Sequence, residues 1–415
     1  MNRKIIIITV IVLCVVALGA GAYFAWQKTQ TILTPPASSQ NPVNGQSISI
    51  NNPAAAGSSS GGAVASRLSV ISDKTVYGYW VFNSNSSSTI ASSTQNASST
   101  QKIQGSGVFY VGRDGIIYKV KADGADEAFT SSPIENFQSL KSSFDGKRVI
   151  IKSRVSGVSK FVVYNSESNI FESLPDKITA ADFSPDGKKV VYFSVNAKDP
   201  NESDLITKSL IDLKQKPVTL LSLYQQDFDL GWISQNKITL VPKPSAFYSA
   251  SIWAVDVSKK TLSRLTADAE DNGLICSKQT CGLIVNWSSD GKIGLQFSSS
   301  MEGRNGILNL INDQGEIKAN FEFVTLPEKC FVSDPKIYCA IPQNIPDKSA
   351  LPDDYFKNAV YFVDSLYQID IITNSFERIF DGSASAIDAV NLEFTDGKLF
   401  FVNKYDNKLY VLELQ

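Results

Sequence analysis

The sequence predicts an all-β chain folded as a single β-propeller of seven four-stranded blades, with six or eight as the alternatives. Three observations carry this. A polar turn recurs between short β-branched or aromatic runs, a second hairpin pattern recurs between those turns, and long helical periodicity is absent from Arg67 onward.

The turn is clearest in "FSPDGKKVVYFS", residues 183–194. Pro185 presets φ for the first turn position, Asp186 bonds nearby backbone N–H groups, and Gly187 supplies a positive φ. That chemistry predicts a three-residue hairpin loop, a type I turn followed by a left-handed residue. Val190 to Phe193 then reads as a buried strand.

Related stretches are "FDGKRVIIKS" at Phe144, "WISQNKITLV" at Trp232, "WSSDGKIGLQF" at Trp287, "FVSDPKIYCAI" at Phe331 and "FTDGKLFFVN" at Phe394, with a weaker first copy, "ISDKTVYGYWVF", from Ile71. Counted between Asp145, Asp186, Gln235, Asp290, Asp334 and Asp396, the spacings are 41, 49, 55, 44 and 62 residues. Gly146, Gly187, Gly291 and Gly397 complete the Asp-Gly turns, whereas Gln235 and Asp334-Pro335 depart from them. Phe144 and Phe394 stand one or two places out of step. Between the turns, "SIWAVDVSKKTLSRLT", "LYQIDIITNSFERIF", "LITKSLIDLKQKPVTLL" and "GILNLINDQGEIKANF" each read as another hairpin. Two hairpins in about 45 residues make one blade.

The last copy ends in "KLYVLELQ", one strand short, and "SRLSVIS" before the first copy is expected to supply it. Residues near Leu68 to Ile71 are therefore expected to pair with those near Leu409 to Leu412, because closure removes exposed sheet edges. Asn83 to Gln101 and Pro342 to Asn358 are polar insertions, read as surface loops.

These turns and hairpins resemble the WD-like repeat of TolB-type β-propellers, in which a W-S-P-D-G-K turn alternates with a D-L-W-x-x-D hairpin. The resemblance covers nearly all of residues 67–415. It implies a protein-binding role by family analogy.

Ahead of the repeats, Ile5 to Trp26 is 22 residues without charge, preceded by "MNRK". At 1.5 Å per residue this is long enough to span a hydrocarbon core of about 30 Å. Arg3 and Lys4 predict residues 1–4 cytoplasmic, 5–26 a transmembrane signal anchor, 27–66 a flexible Pro/Ser/Gly/Asn-rich linker, and 67–415 an extracytoplasmic propeller, periplasmic or on the cell surface. Cleavage near Ala20-Gly21-Ala22 is the rival reading. For an exported chain, the close pairs Cys276/Cys281 and Cys330/Cys339 read as disulfides, with free thiols as the alternative. An even hairpin loop puts Cys330 directly opposite Cys339.

The 415 residues include no histidine. That removes Ser-His-Asp and Cys-His catalysis and His-ligated zinc, and argues against the propeller-containing serine peptidases. The acids of "DAEDNG" (268–273) and "LPDDY" (351–355) read as solvated loop carboxylates, and Phe183, Trp232, Trp253 and Trp287 as core between blades. With 39 basic and 41 acidic residues, no basic cluster points to nucleic acid. No catalytic, cofactor or metal residue is assigned, and no cofactor is expected. The expectation is a non-enzymatic binding scaffold of the cell envelope, with a protein or envelope partner. The alternatives are a glycan-binding module or a histidine-independent, carboxylate-based glycan hydrolase or lyase.

Overall fold

Seven sheets follow one another along the chain, each built on four antiparallel strands, in sequence order except in the last. The computed structural model describes residues 48–50, 67–82, 107–121, 125–196, 198–224, 227–266 and 280–414. Blade I contains Val76–Phe82, Gly107–Gly112, Ile117–Val120 and Asp126–Ala128, and blade II runs from Phe137–Ser142 to Ile170–Ser173. Blade III runs from Ile178–Phe183 to Val218–Leu223, blade IV from Phe228–Ser234 to Thr261–Arg264, and blade V from Cys281–Trp287 to Ile317–Phe321. Blade VI comprises Cys330–Ser333, Lys336–Pro342, Asp364–Asp370 and Ser375–Phe380. Blade VII comprises Ala389–Thr395, Lys398–Asn403 and Lys408–Glu413, completed by Leu68–Val70. First strands pack on one another between blades I and II, III and IV, and VI and VII, on the inner side of the ring.

The ring closes as the sequence predicts. Leu68 pairs with Leu412, Ser69 with Val411 and Val70 with Tyr410. Leu68 packs against blade VII, while Ile71 joins the cluster that Val76 and Tyr79 of blade I form with Phe400 and Val411 of blade VII. Ile48–Ile50, inside the stretch read as linker, adds a fifth strand to blade V in parallel with residues 319–321. The proposed anchor, residues 5–26, and the insertion 83–101 lie outside the described residues. Among the described residues no helix is long and apolar enough to cross a membrane.

Three of the repeated turns share one hydrogen-bond pattern. Ser184 Oγ donates to Asp186 Oδ1 at 2.6 Å and accepts from the Lys189 N–H at 2.9 Å. Ser143 with Asp145 and Ser288 with Asp290 repeat this at 2.7 Å. The serine hydroxyl replaces a backbone acceptor, so the loop, 185–188, is one residue longer than expected. Gln235-Asn236, Asp334-Pro335 and Asp396-Gly397 are instead two-residue turns. Phe144 sits in its turn and is exposed, whereas Phe183 and Trp232 are buried core and Trp253 and Trp287 half-buried.

At Gly146 and Gly291 the turn glycine also makes room for the neighbouring blade. Gly291 has φ +66° and a Cβ there would lie 1.8 Å from the Ile233 carbonyl oxygen of blade IV. Gly397 has φ +73°, but its nearest neighbour would be 3.9 Å away. Gly291→Ala is therefore expected to cost more than ~3 kcal/mol by forcing two blades apart. Gly397→Ala should cost only the left-handed penalty, roughly 1–2 kcal/mol. Urea unfolding of both variants checks the difference; equal costs would show that blade packing does not depend on the turn.

The cysteine reading holds where it can be seen. Cys330 and Cys339 are directly paired across their hairpin and form a disulfide. Cys281 is also disulfide-bonded, and Cys276 lies outside the described residues.

Candidate functional site

Because strands alternate in direction, the loops joining second to third strands share a face with the connections from one blade to the next. The Asp145, Asp186, Asp290 and Asp396 turns all lie on the opposite face, with Gly146, Gly187, Gly291 and Gly397. Their bonds are those of blade construction, and they converge on no ligand site.

The loop face is organised by residues 343–363 of blade VI. This segment, expected to be a surface loop, is packed: Leu351 and Tyr355 are buried and Asp353–Phe356 forms a helical turn. It reaches across its neighbours. Asp353 Oδ1 accepts from the Ala246 N–H of blade IV at 2.6 Å, and Arg304 of blade V donates to the Asp347 carbonyl at 2.7 Å. Gly282 and Gly303 lack the Cβ that would strike Pro352 and Leu351. The acids of "LPDDY" are thus structural acceptors, Asp354 closing its own loop on the Ala350 N–H. "DAEDNG" lies outside the described residues.

Beneath the segment is a polar core that the sequence reading missed. Lys329 precedes the first strand of blade VI, Asp364 opens its third strand, and Asp388 precedes blade VII. All three are fully buried. Lys329 Nζ donates to Asp364 Oδ2 at 2.7 Å, to Asp388 Oδ1 at 2.6 Å, and to the Ala389 carbonyl at 3.0 Å. The Tyr355 hydroxyl donates to Asp388 Oδ1 at 2.6 Å, and the Phe362 N–H to Asp388 Oδ2 at 3.0 Å. The Ala389 N–H donates to Asp364 Oδ2 at 2.8 Å, leaving Asp364 Oδ1 without a partner.

Two carboxylates share one cation here in a dry site. Burial pushes the Asp364 carboxyl up to about 6 and that of neighbouring Glu328 up to about 7. Two acids do converge on this face, but sealed beneath Tyr355 and Phe362 they reach no substrate in this conformation. Among the described residues, no group of three His, Cys, Asp or Glu is placed to hold a metal.

Above the core the surface is aromatic. Phe247 and Tyr248 (blade IV), Met301 (blade V), Phe356 and Tyr361 (blade VI) and Tyr405 (blade VII) are exposed on second-to-third loops of four consecutive blades. Tyr361 and Tyr405 stack across blades VI and VII with centroids 5.5 Å apart. Lys404 Nζ lies 3.4 Å from the Tyr355 centroid and 5.3 Å from that of Tyr361. On the opposite face the described turns expose one aromatic, Phe144. A separate cavity of about 90 Å³, among first strands of blades II to IV, is lined by Lys141, Lys152 and Asp229. Lys141 is already committed to the Leu230 carbonyl at 2.6 Å.

No protein-family model matches the chain, and no curated protein matches its sequence. Solved structures do. An oligogalacturonate lyase in complex with manganese superposes with a TM-score of 0.51 at 11% identity, over 74% of this chain and 85% of that one. The tricorn protease gives 0.47 at 10% identity over 74% of this chain, spanning only 32% of its own. A putative TolB from Agrobacterium tumefaciens gives 0.34 at 16% identity, over 52% of this chain and 76% of that one. The chain forms a seven-bladed propeller, and its repeated turns resemble those of TolB-type propellers. The expectation that it is not an enzyme is corrected: an oligogalacturonate lyase is built on this fold. Missing histidine removes particular mechanisms, not catalysis, because a propeller's chemistry resides in its loops.

Proposed function

We propose that the chain is an envelope propeller that engages a protein partner through the loop face of blades IV to VII. The observation that carries this reading is the row of exposed Phe, Tyr and Met side chains on four consecutive loops. Aromatic residues and Met are the types enriched in interface cores, and Lys404 beside Tyr361 adds a cation at their edge. The packed segment 343–363 holds these side chains on a rigid base, which lowers the ordering cost of binding.

The cellular address belongs to the same proposal: residues 5–26 as an anchor with a cytoplasmic N-terminus, 27–66 as a tether, and the propeller outside. The Cys330–Cys339 disulfide supports an oxidising compartment. Glycan binding by the same aromatics remains the alternative, and no observation favours it over a protein.

Cross-linking the full chain in its native host, followed by mass spectrometry, tests the face. Replacing Phe247, Tyr248, Phe356, Tyr361 and Tyr405 by Ala together is expected to reduce recovery of the cross-linked partner at least ~10-fold without lowering the melting temperature. Undiminished recovery rules this face out. Hits on a glycan array that vanish in the same variant replace the protein partner with a sugar.

A further inference from the structure

The Lys329 chamber holds more than an ion pair requires. Its Nζ lies 2.7 Å from one carboxylate oxygen of Asp364 and 2.6 Å from one of Asp388, with the rings of Tyr355 and Phe362 centred 5.1 and 5.6 Å away. Nothing from solvent reaches it. The two acids are held differently. Both oxygens of Asp388 accept hydrogen bonds, three in all, from Lys329, Tyr355 and the Phe362 N–H. Asp364 has one oxygen gripped by Lys329 and the Ala389 N–H, and one with no partner.

We propose that Lys329 Nζ and Asp364 Cγ become joined by an intramolecular amide bond, formed by the folded chain itself. The donor set assigns the roles. Asp388, saturated with donors, serves as the base, whereas Asp364, with one oxygen unpartnered, is the acid that takes a proton from Lys329 before the amine attacks. With the proton on the unpartnered Oδ1, Nζ attacks Cγ and a C–N bond forms. The carbonyl electron pair moves to Oδ2, where the Ala389 N–H, 2.8 Å away, stabilises the developing charge. Asp388 Oδ1 takes one proton from the cationic nitrogen and returns it to Asp364 Oδ1. The C–Oδ1 bond then breaks, one water leaves, the carbonyl re-forms, and Asp388 is again a carboxylate. No co-reactant is consumed.

The bond would fasten the segment before the first strand of blade VI to the start of its third strand. It would close a loop that contains both the disulfide hairpin and segment 343–363, the base of the aromatic face.

Peptide mapping tests this on the full wild-type chain, reduced and digested with trypsin. An amide blocks cleavage after Lys329. The expected product is a branched peptide in which residues 319–336 are joined to residues 358–378, lighter by one water than their sum, with fragment ions placing the link at Lys329 and Asp364. Asp388→Ala is expected to remove the branched species, leaving free peptides from a chain that still melts cooperatively. Quantitative cleavage after Lys329 in folded wild-type protein overturns the proposal. A link from Lys329 to Asp388 overturns the roles assigned to the two acids. The wild-type result decides even if the variant does not fold.

Discussion

Lys329→Met is expected to destabilise the propeller by about 3–5 kcal/mol at neutral pH, the range for removing one member of a buried ion network. The change leaves Asp364 and Asp388 fully buried without their cation. The deficit should depend on pH with a definite sign. Asp364 already titrates near 6 because of burial. A carboxyl whose folded pKa is raised contributes stability below its unfolded pKa and loses it as pH rises through the folded value. Without Lys329, which pulls it down, the folded pKa of Asp364 rises further, so the variant should fall behind the wild type progressively as pH rises above about 4. Denaturant unfolding at pH 5 and pH 8 checks this, and an equal deficit at both pH values would contradict it. The proposed amide would take Asp364 out of titration in the wild type, but the variant buries both free carboxyls either way, so the same sign of pH dependence is expected. Replacing all three residues by apolar ones of similar size should recover most of the loss.

This core and the ring around it were not equally legible in the sequence. Strand alternation and turn chemistry are local, so Ser184 to Lys188 announces its turn, and seven such units imply seven sheets. Closure by Leu68 to Val70 was legible because an unfinished final blade leaves one place for an unpaired strand. The Lys329 network is assembled from residues 35 and 59 positions apart in sequence, and no local period marks it. The available signal was faint: Asp364 and Asp388 interrupt apolar stretches, "YFVDSL" and "SAIDAV", where a charge needs a partner. Segment 343–363 misled for a related reason. Its Pro and Asp residues look solvated, but Leu351, Tyr355 and Phe362 are buried at irregular spacing that follows the neighbouring blades.

Truncation at the N-terminal edge of the propeller is expected to have the other large effect. A chain beginning at Thr75 loses Leu68–Val70, the outermost strand of blade VII, and exposes the backbone of Leu409 to Leu412. It also loses the Ser72 hydroxyl that accepts from the Leu409 N–H at 2.9 Å, the Ile71 N–H bond to the Leu409 carbonyl at 2.9 Å, and the Asp73 N–H bond to Asp126 of blade I at 2.7 Å. Leu68 and Ile71 leave two apolar clusters, one between blades VI and VII and one spanning blades VII and I. At about 25 cal/mol per Å² of apolar surface, with several hydrogen bonds broken, the loss should reach several kcal/mol. The bared edge should promote association between chains. A chain beginning at Gly62 keeps this closure and, among the described residues, loses the three-residue strand Ile48–Ile50 on the outer edge of blade V. Its melting temperature should therefore fall far less. Thermal unfolding and light scattering on the two truncations separate the cases: equal melting would mean that the ring is held shut by blade packing alone, without the strand exchanged across its ends.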